Sequence, residues 1–211
     1  MTAPFGLTRE EYSILSRLNT PVKIQDFIET IPANFEPEGD TCLSPRRVLR
    51  ERRAHCIEGA MLAALALRLQ KQPPLLVLLE STKDDFDHVI APFKYHHHWG
   101  AISKSNHAVL RYRDPIYRTI RELAMSYVHE YTNDDGKKTM RAFSRPLLVS
   151  RYDAGGWITS EEDVWDVAIG LYEVPRTKLV TPQQARRLRP SDPIEQEMGT
   201  IVRWKKNTPL S

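Results

Sequence analysis

The stretch that most constrains the fold runs from Arg53 to Gln70, R-A-H-C-I-E-G-A-M-L-A-A-L-A-L-R-L-Q. Between Cys56 and Leu69 the only charged side chains are Glu58 and Arg68. A surface helix shows one apolar stripe, whereas a helix that is apolar all round lies inside the protein. Alanine and leucine are strong helix formers, so local propensity agrees with burial. The sequence therefore predicts a buried central helix around which the rest of the chain packs. Its one reactive group, the Cys56 thiol, sits at the amino end. There, unpaired N–H groups and the helix dipole favour a thiolate. A cysteine so placed can be a nucleophile, or simply a small buried residue.

With 211 residues the chain is long enough for one sizeable core, and 41% apolar and 27% charged residues fit a globular protein. A net charge of +3 is too weak to argue for nucleic acid as a partner. Two cysteines, Cys42 and Cys56, are too few for a disulfide framework. No secretory signal opens the chain, and no apolar run approaches the ~18–20 residues of a membrane span. The expectation is a cytoplasmic protein in a reducing compartment, away from the membrane.

Taken in order, Thr8 and Glu11 form a capping box before a first helix, and Thr20-Pro21 opens a second. Ser44-Pro45 opens a third, bearing Arg46, Arg47, Arg50, Arg52 and Arg53, read as a solvated face with an anion patch as the alternative. Beyond Pro73-Pro74 the run Leu75–Leu79 predicts a buried strand. His88–Phe93 predicts another, with Pro92 pushing it to an edge or a bulge. Tyr95–His98 would be a hairpin loop, Trp99–Ser103 the returning strand and Ala108–Arg113 a further strand. Asp114-Pro115 reads as the cap of a helix over residues 115–131, with Ile116, Ile120, Leu123, Ala124, Tyr127 and Tyr131 on one face. Later, Thr139–Tyr152 suits extended segments, and Thr159 or Ser160 would cap a helix through Leu171. Thr181-Pro182 and Ser191–Met198 suit short helices.

This order places a cysteine at a helix start and a histidine at the start of the second following strand. Thiol catalysis needs a thiolate to attack an acyl carbon, an imidazole to carry the proton, and a polar group to orient the imidazole. With the turn near His96–His97, the residue opposite His88 falls near Lys104. Ser103, Ser105 and Asn106 are the local candidates for the third role. Asn106 is favoured, because its amide oxygen can accept an imidazole N–H as in Cys-His-Asn sites.

At these residues the chain resembles the transglutaminase-like branch of the papain-like fold. The resemblance rests on Cys56-Ile-Glu-Gly-Ala60, Asp87-His88-Val-Ile-Ala91 and Trp99-Gly100-Ala-Ile-Ser103. Upstream, Thr20-Pro-Val-Lys-Ile-Gln-Asp-Phe27 is similar to the opening segment of small bacterial members. It covers roughly residues 20–131 and implies a helix packed on an antiparallel sheet, with a cysteine nucleophile acting at an amide or peptide bond. On that resemblance Cys56 is the nucleophile and His88 the general base and acid. One departure stands out: the family usually has an aspartate about four residues beyond the aromatic that matches Trp99, and here that place holds Ser103.

Other readings stay open. Asp114 is an alternative third residue, better explained as a helix cap; His107 is an alternative imidazole. His55 would raise the local positive potential, and Glu58 would interact with the helix dipole. Three adjacent histidines, His96 to His98, cannot all face one ion, so no metal site is expected. No dinucleotide, P-loop or zinc-hydrolase motif appears, so no cofactor is expected. The resulting expectation is an α+β, papain-like or transglutaminase-like core over residues 1–135 with an extension, 136–211, packed on it. Its catalytic residues would be Cys56, His88 and Asn106, and its substrate a peptide or protein amide. A catalytically silent peptide-binding relative and a basic anion- or nucleic-acid-binding protein are the rivals.

Overall fold

The computed structural model describes residues 3–206. Residues 1–2 and 207–211, the outer ends of the two stretches read from the sequence, lie outside it. The first three α-helices begin where the capping residues are. Thr8 Oγ1 accepts the Glu11 N–H at 3.1 Å, and the Glu11 carboxylate accepts the Thr8 N–H at 2.7 Å, opening α1 (Arg9–Arg17). Thr20 and Ser44 accept from Lys23 and Arg47 at the starts of α2 (Pro21–Glu29) and α3 (Pro45–Glu51). In both helices proline stands first, where an N–H would have no helical partner. The central helix α4 (Cys56–Leu69) is buried continuously from Ile57 to Leu67. Helices α1, α2 and α3 cover one side of it and the sheet covers the other.

Among the described residues the sheet has seven strands, all paired antiparallel: β1 (Leu75–Glu80), β2 (His88–Tyr95), β3 (His98–Ser103), β4 (Arg113–Tyr117), β5 (Ala142–Ser144), β6 (Leu147–Leu148) and β7 (Arg176–Lys178). Their order is β4-β3-β2-β1-β5-β7, with β6 also on β1. The protein is thus α+β, with helices against an antiparallel sheet. The pleat sorts the side chains between two cores. Leu76, Leu78, Val89, Ala91, Phe93 and Ile102 join α4, whereas Val77, Leu79, Ile90 and Ala101 meet Leu123, Tyr127 and Tyr131 on the opposite face.

Strands β2 and β3 form a tight hairpin. Tyr95 pairs with His98, and both intervening residues have positive φ, 44° at His96 and 66° at His97, as a two-residue I′ turn requires. The triple histidine is therefore this turn, about 23 Å along β2 from His88 at the usual strand rise. Pro92 sits inside β2 without breaking a ladder. The pairing with β1 spans only His88 to Ile90, and beyond it β2 pairs with β3 alone.

Three sequence expectations need correction. Residues 115–131 are not one helix: Arg113–Tyr117 is the edge strand β4, and α5 covers only Ile120–Met125. Pro115 fits there because an edge strand has a side with no ladder to lose. The cap is Thr119, whose hydroxyl accepts from Glu122 N–H at 3.1 Å. The predicted apolar face survives in part, since tight turns carry Tyr127 and Tyr131 into the core while Ile116 stays exposed. Residues 106–112 form a loop, not a strand. Helix α6 (Trp165–Glu173) starts later than Thr159 or Ser160, after turns, with no side-chain cap. Beyond residue 136 the chain supplies β5, β6 and β7 to the same sheet, and α6 packs on β1. Two short helices follow, α7 (Pro182–Ala185) and α8 (Pro193–Thr200). No helix among the described residues is long and apolar enough to cross a membrane.

The amino end of α4 is held close to the end of β3. A Cβ on Gly59 would fall 2.4 Å from Lys104 Cβ and 2.8 Å from its Cγ. Exposed helical glycine gains up to ~1 kcal/mol on replacement by alanine, so the sign of the effect reports the packing. Gly59→Ala should lose about 1–3 kcal/mol by overpacking in urea denaturation. A gain in stability would contradict the close approach.

Candidate active site

The chain leading into α4 is fixed before the helix begins. Ala54 donates its N–H to Pro32 O at 3.0 Å and accepts from Asn34 N–H at 3.1 Å. His55 then sits extended as the helix N-cap, and Cys56 is the first helical residue. Glu58 reaches back, accepting the His55 N–H at 2.9 Å, as the third helical residue does in a capping box. The same carboxylate accepts from Thr41 Oγ1 at 2.7 Å, Leu43 N at 2.9 Å and Asn34 Nδ2 at 3.1 Å, and is 0% exposed. A carboxylate so buried is tolerable only with such partners.

Two imidazoles, His55 and His88, act on the Cys56 thiol. Burial of the thiol opposes ionisation, but hydrogen bonds and charge from His55 and His88 outweigh it and bring the thiol down to about 5. His55 is penalised by burial as well, yet its contact with Cys56, the Glu58 charge and the Thr41 carbonyl lift it to about 10. Cys42 is the opposite case. It is fully buried, its Sγ lies 3.6 Å from Val164 O, and burial followed by the Glu58 charge pushes it up to about 12.

His88 opens β2 and is buried. Its Nε2 lies 2.7 Å from Ser103 Oγ, and that hydroxyl donates to Leu110 O at 2.5 Å. With its own proton given to a carbonyl, the hydroxyl must accept from His88 Nε2–H, which leaves Nδ1 for the sulfur. The antiparallel register explains the contact. Ser103 pairs with Ile90, so it is diagonal to His88 on one face of the hairpin. Ser103 is held in turn by Gln25, which takes its N–H and donates to its C=O, both at 2.9 Å. Leu110 adopts a left-handed φ of 57°, and its N–H goes to Glu130 at 2.8 Å.

The third residue expected from the sequence is therefore displaced. Asn106 lines the same cleft, but its amide oxygen takes Trp204 N–H at 2.9 Å and its nitrogen donates to Trp204 O at 3.0 Å. A short bridge between His107 and Val202 ties this segment to the C-terminal stretch. His107 is likewise occupied, with Nδ1 2.8 Å from Gly199 O. Asp114 lies in the edge strand. Of the two residues the sequence undervalued, His55 and Glu58, only Glu58 stands at a capping-box spacing, three positions after the N-cap, and histidine is not a usual cap.

A cleft of about 1180 Å³ opens over Cys56, His55 and His88, with Tyr131, Leu110 and Asp87 among its walls. Asp87 accepts from Ser81 N–H at 2.8 Å and Tyr172 hydroxyl at 3.0 Å. Burial, then the Cys56 charge, raises the Tyr131 hydroxyl. No cluster of three His, Cys, Asp or Glu side chains among the described residues is placed to hold a metal ion. The α3 arginines are engaged: Arg46 with Glu11, Arg47 with Glu51 and Asp163, Arg50 with Glu161 and Arg53 with Glu51, while Arg52 lies over the Phe27 ring. Comparison with protein-family models gives no match, and comparison with curated proteins gives none either.

The two thiols should separate cleanly by reactivity. At pH 6–7, iodoacetamide is expected to modify Cys56 and leave Cys42 untouched in the folded protein, as read by peptide mass spectrometry. Equal modification of both would contradict the site.

Proposed function

We propose that the protein is a cysteine-dependent hydrolase or acyl transferase of papain-like or transglutaminase-like architecture, acting on an amide, peptide or isopeptide bond through a thioester. The observation that carries this reading is a thiol brought down to about 5, in an open cleft and served by a histidine that a hydroxyl orients. A buried structural cysteine has no use for any of the three. Two free thiols suit a reducing compartment such as the cytoplasm.

In this mechanism the Cys56 thiolate attacks the acyl carbon and the carbonyl electron pair moves to oxygen. The backbone N–H of Cys56, first in α4 and outside the helical bonding pattern, is available to that developing charge. His88, holding on Nδ1 the proton that the Cys56 thiol gave up, passes it to the departing nitrogen as the C–N bond breaks, leaving the thioester. It then takes a proton from water or an acceptor amine, whose attack releases the thiolate. Ser103 keeps the His88 ring in the tautomer that presents Nδ1 to the sulfur.

The test is a panel of peptides bearing main-chain, glutamine side-chain and lysine isopeptide amides, followed for amine release and for an acyl mass on the Cys56 peptide. Wild type should give both with at least one class, and Cys56→Ala neither. Ser103→Ala should keep the fold and slow turnover about tenfold or more, the usual scale for a group that orients a general base. Absence of any acyl adduct across the panel would favour a peptide-binding role without catalysis.

A further inference from the structure

We infer that His55 is a second catalytic imidazole, a standing cation that holds the Cys56 thiolate while His88 alone moves the proton. The inference rests on the reading of Cys56 as a nucleophile and adds a division of labour between two rings. Its basis is what lies behind each ring. His55 Nε2 lies 2.9 Å from Thr41 O, and a carbonyl only accepts, so that nitrogen carries a proton. Glu36 Oε1 at 3.3 Å and Glu58 Oε1 at 3.5 Å face the same nitrogen. Neither acid is free to swing away. Glu58 is locked by the donors described above, and Glu36 accepts the Thr41 N–H at 2.8 Å. Behind His88 there is instead one neutral hydroxyl, Ser103.

Two carboxylates on one side and a sulfur on the other favour a charged ring at His55. That ring stays positive while the thiolate waits, and its elevation to about 10 agrees with this placement. The other ionisable groups acting on the pair are His88 from β2, Cys42 before α3, Tyr131 beyond α5 and Tyr172 on α6. Of these only His88 brings a positive charge. During attack the sulfur electron pair forms the S–C bond, and the negative charge passes to the carbonyl oxygen. His55 keeps its proton throughout, so its charge remains in place against the developing oxyanion. The proton that reaches the leaving nitrogen comes from His88, and the acceptor returns it. Paired imidazoles set apart by their surroundings give one cation and one carrier, as other acid–base pairs do.

The experiment is the pH profile of Cys56 alkylation by iodoacetamide, a neutral reagent whose approach is indifferent to local charge. It would be run on wild type, His55→Gln and Glu36→Gln, with thermal melting as the fold control. Wild type should show its inflection near pH 5. In His55→Gln the inflection should rise by a unit or more, which slows the reaction at pH 6 about twofold for one unit and about tenfold for two. Glu36→Gln leaves the ring and should shift the inflection the same way by less. An unchanged profile in folded His55→Gln would overturn the inference. A shifted profile in a protein that acylates with no amide would uphold His55 and remove the enzymatic reading. Acylation with an unshifted profile would do the reverse.

Discussion

A carboxylate sealed from water organises one end of this protein. Glu58 lies one turn into a helix whose other buried side chains are apolar, and burying its charge would cost several kcal/mol without partners. It collects them from Asn34, Thr41, Leu43 and the backbone of His55. Those bonds close the start of α4 and draw the 34–43 loop onto it. They also set a negative charge behind the His55 ring. The hydrogen bonds that make the carboxylate tolerable thus also fix the thiol and its first imidazole. Function and folding share one set of contacts here, and loosening Glu58 would disturb both.

The second half of the site comes from the sheet. The I′ turn at His96–His97 sets the register of β2 on β3, and that register places Ser103 diagonal to His88. Gln25 on α2 pins Ser103 by its backbone, leaving the hydroxyl to point one way toward Leu110 and the other toward the imidazole. Helix and sheet therefore bring their contributions to the sulfur from separate parts of the chain. Each is held by polar bonds and not by apolar packing alone. Such support is what keeps reacting groups within the tolerances that proton transfer requires.

Much of this was readable in the residues. The buried helix, the threonine and serine caps before proline, and the hairpin follow from periodicity and from the chemistry of turns. The failures have physical causes. Asp114-Pro115 looks the same at a helix start and in an edge strand, because both sites forgive a missing N–H. Asn106 was the better hydrogen-bonding group on paper. Its neighbours, however, pair with residues 201–204, a contact between segments almost a hundred positions apart that no local pattern reveals. Ser103 was visible as a candidate but lacked the charge that the role usually carries. Glu58 stood in plain capping spacing, yet nothing local shows that Thr41 and Glu36 stand behind the His55 ring.

The chemistry of the site turns on the ionisation state of one sulfur. Thiolate absorbance in the ultraviolet, followed from pH 3 to 10 as the difference between wild type and Cys56→Ser, measures it without any reagent or substrate. A single rise with its midpoint near 5 is expected. A midpoint near 8.5, the value of an ordinary cysteine in water, would contradict it.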